Sequence, residues 1–217
     1  KRYNTFSDAD SVDHAKFGAD LLFKDGLIST FLKGMVKSTG YKPGALEDRY
    51  DSDGVFLYDR LNKSDMEMLE LAIRCHNMYR IPQGLNRREQ AFCNVLRDAD
   101  KVDIFKVNID TPLEEIYNTT TEELMKSDIT DEVLKAFDEE HCILKAIRRT
   151  PADTVIGHVS LAYELVYDES VRITVEQGYL AKLMHFHSDN EETNRKMAMV
   201  REKMDSYVKK RIGEKYA

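Results

Sequence analysis

The chain has 217 residues, 42% hydrophobic and 33% charged, with only four prolines and ten glycines, so it can bury a sizeable core and favours helix over sheet. A formal net charge of −7 argues against general nucleic-acid binding, which needs a basic footprint, and no apolar run approaches the ~18 residues of a membrane span. Cys75, Cys93 and Cys142 are odd in number, scattered and without a CxxC spacing, which fits a reducing cytoplasm better than a disulfide framework or a thiolate zinc site.

In chain order, Ser11 or Asp10 is placed to cap a helix from about Val12 to Lys24, which Gly26 ends, and a second short helix runs from Leu27 to about Val36. Residues 38–63 carry Gly, Pro and Asp clusters and read as an irregular insertion. Ser64 and Glu67 match the capping box of a helix that reaches Tyr79 and stops near Pro82. Asn86 and Glu89 repeat that device for a helix ending near Val107, and Thr111-Pro112 places a proline at a first helical position. Further helices are predicted at about 112–118, 121–126 and 130–145, from Thr150-Pro151 to about Val166, at 170–187, and at 190–213 behind Asn190. No alternating strand run and no fixed-period repeat is present, so the predicted class is all-α.

Three of these helices carry polar residues beside apolar stripes. In "NVLRDADKVDIFKV", residues 94–107, helical spacing puts Leu96, Ala99, Asp100 and Asp103 on one side. The stripe of Leu69, Ala72 and Ile73 continues into His76, and that of Val12, Ala15, Ala19 and Leu22 is flanked by His14, with Gly18 one turn on. A glycine inside a helix costs about 1 kcal/mol against alanine, and here it removes a side chain that would crowd the imidazole. Singly, each has a plain explanation: a satisfied core histidine, close packing at Gly18, or Asp100 paired with Arg74, Arg97 or Lys101. A divalent metal satisfies all three polar groups at once, since neutral imidazoles and a carboxylate are its usual donors.

The same stretches, "DHAKFGADLL", "AIRCHNMYRIPQGL" and "LRDADKVDIF", resemble in order and approximate separation the HD-domain family, the metal-dependent phosphohydrolases named for a His-Asp dyad. The resemblance covers residues 1 to about 107. It implies an HD-domain-like helical bundle in residues 1–110, with a C-terminal helical subdomain, 111–217, packed on it. It further implies His14, His76 and Asp100 as metal ligands, and catalytic roles for Asp100, Asn77 and Lys101. Asn77 stands where many members carry a second histidine; an amide is a poor ligand beside imidazole, and its expected role is to donate to a phosphate oxygen. Arg2, Lys16, Arg80 and Lys101 would hold the phosphate, and Asp103 and Asp98 would hold the ligands in place. Each of these charges also has the ordinary reading of a solvated surface group, and Asp8, Asp10 and Asp13 read more simply as helix caps.

The implied cofactor is a divalent cation, whether Mn, Fe, Ni, Co, Zn or Mg, and the implied substrate a small phosphorylated compound or nucleotide. The implied setting is cytoplasmic, with neither a nucleic-acid nor a membrane partner, and homo-oligomerisation is left open. The chain departs from the family in one respect: no histidine is followed by aspartate, the six being followed by Ala15, Asn77, Cys142, Val159, Phe186 and Ser188. In the family the dyad precedes the segment "RYNTFSDADS". The expectation is therefore that the dyad lies upstream of Lys1 in a longer protein, and that these residues alone turn over weakly or not at all. The competing reading is a catalytically silent HD-like scaffold that binds a nucleotide or a protein partner; a third is an unrelated helical bundle. His185 and His187, spaced i, i+2, cannot share a helical face, and His141 and His158 lack acidic or histidine neighbours at useful spacing. Met197, Met199 and Met204 read as core filler.

Overall fold

Several helices in this chain start behind a short polar side chain that satisfies otherwise orphaned backbone N–H groups. The computed structural model describes residues 12–28, 30 and 63–213; the readings for Arg2, Asp8, Asp10, Ser11 and 38–62, and nearly all of the predicted second helix, lie outside the described residues. Among the described residues there are ten α-helices and no strand, as the composition requires. None of them is long and apolar enough to cross a membrane. Contacts divide the described chain between Leu96 and Arg97, inside a helix.

In the unit that ends at Leu96, α1 (His14–Ala19) begins behind Asp13, whose side chain accepts from the backbone N–H of Ala15 and Lys16. It continues as a π-helical turn, Asp20–Lys24, before Gly26 takes a positive φ of 76°. α2 (Lys63–Cys75) starts one residue before Ser64, so Ser64 lies within the helix instead of capping it. It also stops short of Tyr79, leaving His76 in the turn that follows. Met68, Ala72 and Cys75 form its buried face. α1 packs on α2; Arg74 pairs with Asp20 of the π-helical turn at 2.7 Å and with Glu70, one turn earlier on its own helix, at 2.7 Å. α3 (Arg87–Asp110) opens as the sequence predicts: Asn86 Oδ1 accepts from Arg88 and Glu89 at 2.9 and 3.0 Å, and Glu89 accepts from Asn86 N–H at 2.9 Å.

The unit from Arg97 onward is a helical array around one apolar core of Phe105, Leu124, Phe137, Ile156, Met197 and Met204 with their neighbours. Burying each such side chain contributes roughly 1.5–3 kcal/mol. Met199 is the exception among the three C-terminal methionines, at 58% exposure. α4 (Leu113–Tyr117) has Pro112 as its N-cap, so the proline sits one position earlier than predicted. α5 (Thr121–Lys126) starts with a Thr120–Glu123 capping box. α6 (Asp131–Asp138) stops well before residue 145, because Glu140 turns the chain at a φ of 54°. A 3-10 turn, Lys145–Ile147, leads to α7 (Pro151–Val159), with Pro151 at its start, a Thr150–Asp153 capping box, and a 3-10 extension, Ser160–Glu164.

Asp153 is fully buried and accepts from the backbone N–H of Thr130, Arg149 and Thr150 at 2.8, 2.8 and 3.2 Å, tying the start of α6 to the start of α7 through one carboxylate. The single helix predicted at 170–187 is two, α8 (Asp168–Gln177) and α9 (Tyr179–Met184), broken at Gly178. Gly178 has a φ of 71°, a conformation glycine adopts without the Cβ penalty other residues meet. α10 (Glu191–Ile212) follows the expected cap, Asn190, and ends at Gly213.

Candidate metal centre

The centre of interest is a pair of imidazoles brought together by α1 and the turn after α2. His14 is the first residue of α1 and is exposed rather than facing inward; His76 follows Cys75 and is half-buried. Their Nε2 atoms are 3.0 Å apart, with ring centroids separated by 4.9 Å and planes tilted by 56°. The other nitrogen of His76, Nδ1, lies 2.7 Å from the carbonyl oxygen of Ile73. Only an N–H fits against that oxygen, so in the neutral ring Nε2 carries the lone pair. This is how a protein fixes the tautomer of a metal-binding histidine, by donating the far N–H to a carbonyl.

Two nitrogens held about 2.0–2.1 Å from one ion, at angles of about 90–110°, lie about 2.9–3.4 Å apart. The observed 3.0 Å falls inside that interval, and it suits equally an N–H of His14 donating into the His76 lone pair. Imidazole donors at this spacing suit a borderline divalent cation such as Zn2+, Ni2+ or Fe2+.

Neighbouring groups brace the pair. Asn77 Nδ2 donates to Asp13 Oδ1 at 3.0 Å. Burial works against the charge on Asp13, yet hydrogen bonds from the backbone and side chain of Lys16 and from Asn77 outweigh it and hold the carboxyl at about 2. Lys16 pairs with Asp13 at 3.1 Å. Arg80 is exposed with its guanidinium 5.6 Å from the centre of the Tyr79 ring. A Cβ built on Gly18 would meet nothing within 4 Å, so crowding does not demand glycine there.

On α3 the buried face is not the one the apolar stripe suggests. Ala99 and Asp103 are exposed, while Cys93, Arg97, Asp98, Lys101, Phe105 and Asn108 are buried. Asp103, expected to hold a ligand in place, thus faces solvent. Asp98, given the same role, is 2% exposed and accepts from the backbone N–H of Val166 at 3.0 and 3.1 Å and of Tyr167 at 3.0 Å. Its carboxylate anchors the segment before α8. Asp100 is half-buried in the unit that begins at Arg97. Burial pushes the Lys101 ammonium down, with Arg97 adding to the effect and Glu164, Asp100 and Asp98 opposing it.

No protein-family model, curated protein or solved structure matches this chain.

The remaining described histidines serve elsewhere. His141 lies at the surface against Glu139, at 2.9 Å, and His185 Nδ1 is 2.7 Å from the carbonyl of Ala181. His158 is pushed down to about 3 by burial, with Arg148 and Lys145 contributing. The Asp13–Asn77 tie was not foreseen in the sequence, where Asp13 reads only as a cap. The one available signal was that these residues flank the two candidate histidines in the chain.

Proposed function

We propose that this chain binds a divalent cation through His14 Nε2, His76 Nε2 and an Asp100 carboxylate oxygen, and acts as a metal-dependent phosphohydrolase of the HD type on a nucleotide or other phosphate ester. The observation that carries the reading is His76: its Nδ1 is committed to the Ile73 carbonyl and its Nε2 lies 3.0 Å from that of His14. The family resemblance adds Asp100 as the third ligand, and two imidazoles with one carboxylate are an ordinary donor set for such an ion. A cation held by such a set lowers the pKa of a bound water towards about 7 and polarises a phosphoryl oxygen. In this reading the chain's own part is to present two neutral imidazoles in a fixed orientation and to supply one negative charge. Lys101, adjacent to Asp100 and buried, then adds positive charge for the phosphate.

A second reading, a catalytically silent HD-like scaffold that binds a nucleotide or a protein partner without turnover, is favoured by a specific observation. Two groups expected to meet the phosphate, Asn77 and Lys16, are both engaged by Asp13.

Crystals grown with Co2+ and measured at its absorption edge test the proposed cation site, with an anomalous peak expected within about 2.2 Å of all three ligand atoms. Phosphate release from nucleotides and phosphomonoesters in Mn2+, Co2+ or Ni2+ separates the readings. Release that a chelator and His76→Ala both abolish supports the hydrolase. A bound ion without release supports the scaffold, and the lack of any peak at His14 and His76 ends the hydrolase reading.

A further inference from the structure

We infer that Asp13 and Asn77 are positioning residues that set the spacing of the two imidazoles, an inference that rests on the cation-binding reading of His14 and His76. Each is the chain neighbour of one histidine, Asp13 preceding His14 and Asn77 following His76. Asn77 Nδ2 donates to Asp13 Oδ1 at 3.0 Å, and the same oxygen accepts from Ala15 N–H at 3.1 Å and Lys16 N–H at 3.2 Å. One carboxylate thus starts α1 and also grips the segment leaving α2. A second tie, Arg74 Nη2 to Asp20 Oδ1 at 2.7 Å, joins α2 to the π-helical turn that continues α1. The imidazoles lie between these ties.

The physical need for the first tie comes from the place of His76. It directly follows the last helical residue of α2, and the chain from there to Arg80 runs through turns and bends. A nitrogen pair that one ion can span tolerates shifts of only a few tenths of an ångström before a metal–nitrogen bond lengthens. Anchoring the peptide on each side of the pair supplies that precision. The chemistry also explains the residue types, since position 77 must donate and position 13 must accept three N–H groups.

The test is Co2+ titration followed by visible absorbance, with imidazole 15N shifts recorded on the metal-free protein and urea midpoints as the folding control. Asn77→Asp sets two carboxylates against each other and is expected to weaken Co2+ binding 10–100-fold, the usual effect of losing a group behind a ligand. The double variant Asp13→Asn with Asn77→Asp restores a donor and an acceptor while keeping a good N-cap, and should return the affinity to within about threefold. Wild-type affinity in Asn77→Asp, alongside loss of binding in His76→Ala, would overturn the inference. Co2+ binding that His76→Ala leaves unchanged would instead overturn the cation reading. The 15N shifts then decide the positioning role: a change in Asn77→Asp that the double variant reverses supports it, and unaltered shifts refute it.

Discussion

Replacing Asp98 by alanine separates a ligand-supporting role from a structural one. The Asp98 side chain is almost completely buried, and its two oxygens accept from two consecutive backbone N–H groups, of Val166 and Tyr167. Hydrogen bonds to a charged acceptor are each worth about 1.5–3 kcal/mol, so losing both sets an upper range of about 3–6 kcal/mol. Val166 is 45% exposed, which lets water take up part of what is lost and brings that figure down. Asp98 is also one of the carboxylates that offset the charge of buried Lys101, which brings it up again. Together these give a loss of about 3–5 kcal/mol for Asp98→Ala, and roughly half for Asp98→Asn, which keeps one acceptor. Urea unfolding at pH 7 with an unchanged m-value is the assay. Cation affinity of the folded fraction should stay at the wild-type value. A variant that unfolds within 0.5 kcal/mol of wild type, or one that keeps its stability and loses the cation, would refute this reasoning.

Two other perturbations follow from buried groups. His158 titrates at about 3 in the folded chain against about 6.5 unfolded, so the unfolded state binds the extra proton between these values. Its contribution is present above about pH 6.5 and is lost as pH falls towards 3: between pH 7 and pH 5 the wild type should lose about 1–2 kcal/mol that His158→Phe does not, as paired urea titrations would show, and equal losses would contradict it. A Cβ on Gly157 would lie 2.2 Å from Cζ of Arg148, whose Nη2 donates to the Ile143 carbonyl at 2.5 Å. Gly157→Ala should displace that flexible side chain and cost about 1 kcal/mol, and in an Arg148→Ala background the cost should vanish; a cost that persists there would show that the backbone, not the guanidinium, resists the methyl group.

What the sequence disclosed of this fold was local. Asn86 with Glu89, Thr150-Pro151 and Asn190 announce helices because capping is settled within three or four residues, and the structure places each where the pattern says. Helix ends were harder: the break at Gly178 and the turn at Glu140 fall inside stretches that read as continuous helix. The face of α3 was misread because apolar spacing singled out Leu96 and Ala99, whereas burial falls on Arg97, Asp98 and Lys101. Asp98 finds its partner 68 residues away, a distance over which no local pattern carries information. At the candidate centre, His14 and His76 were found from their odd placement beside apolar stripes, and they do meet at 3.0 Å. The hydrogen bond from Asn77 to Asp13 spans 64 residues, and no local pattern announces it.

The most direct test is the number of ions bound per chain, measured by isothermal titration with Co2+ or Zn2+ on the wild type, His14→Ala, His76→Ala and Asp100→Ala. One ion per wild-type chain, with at least a hundredfold weaker binding in all three variants, is the predicted result. Binding that Asp100→Ala or His76→Ala leaves intact, or none in the wild type at millimolar metal, would contradict the proposal that these three side chains share a cation.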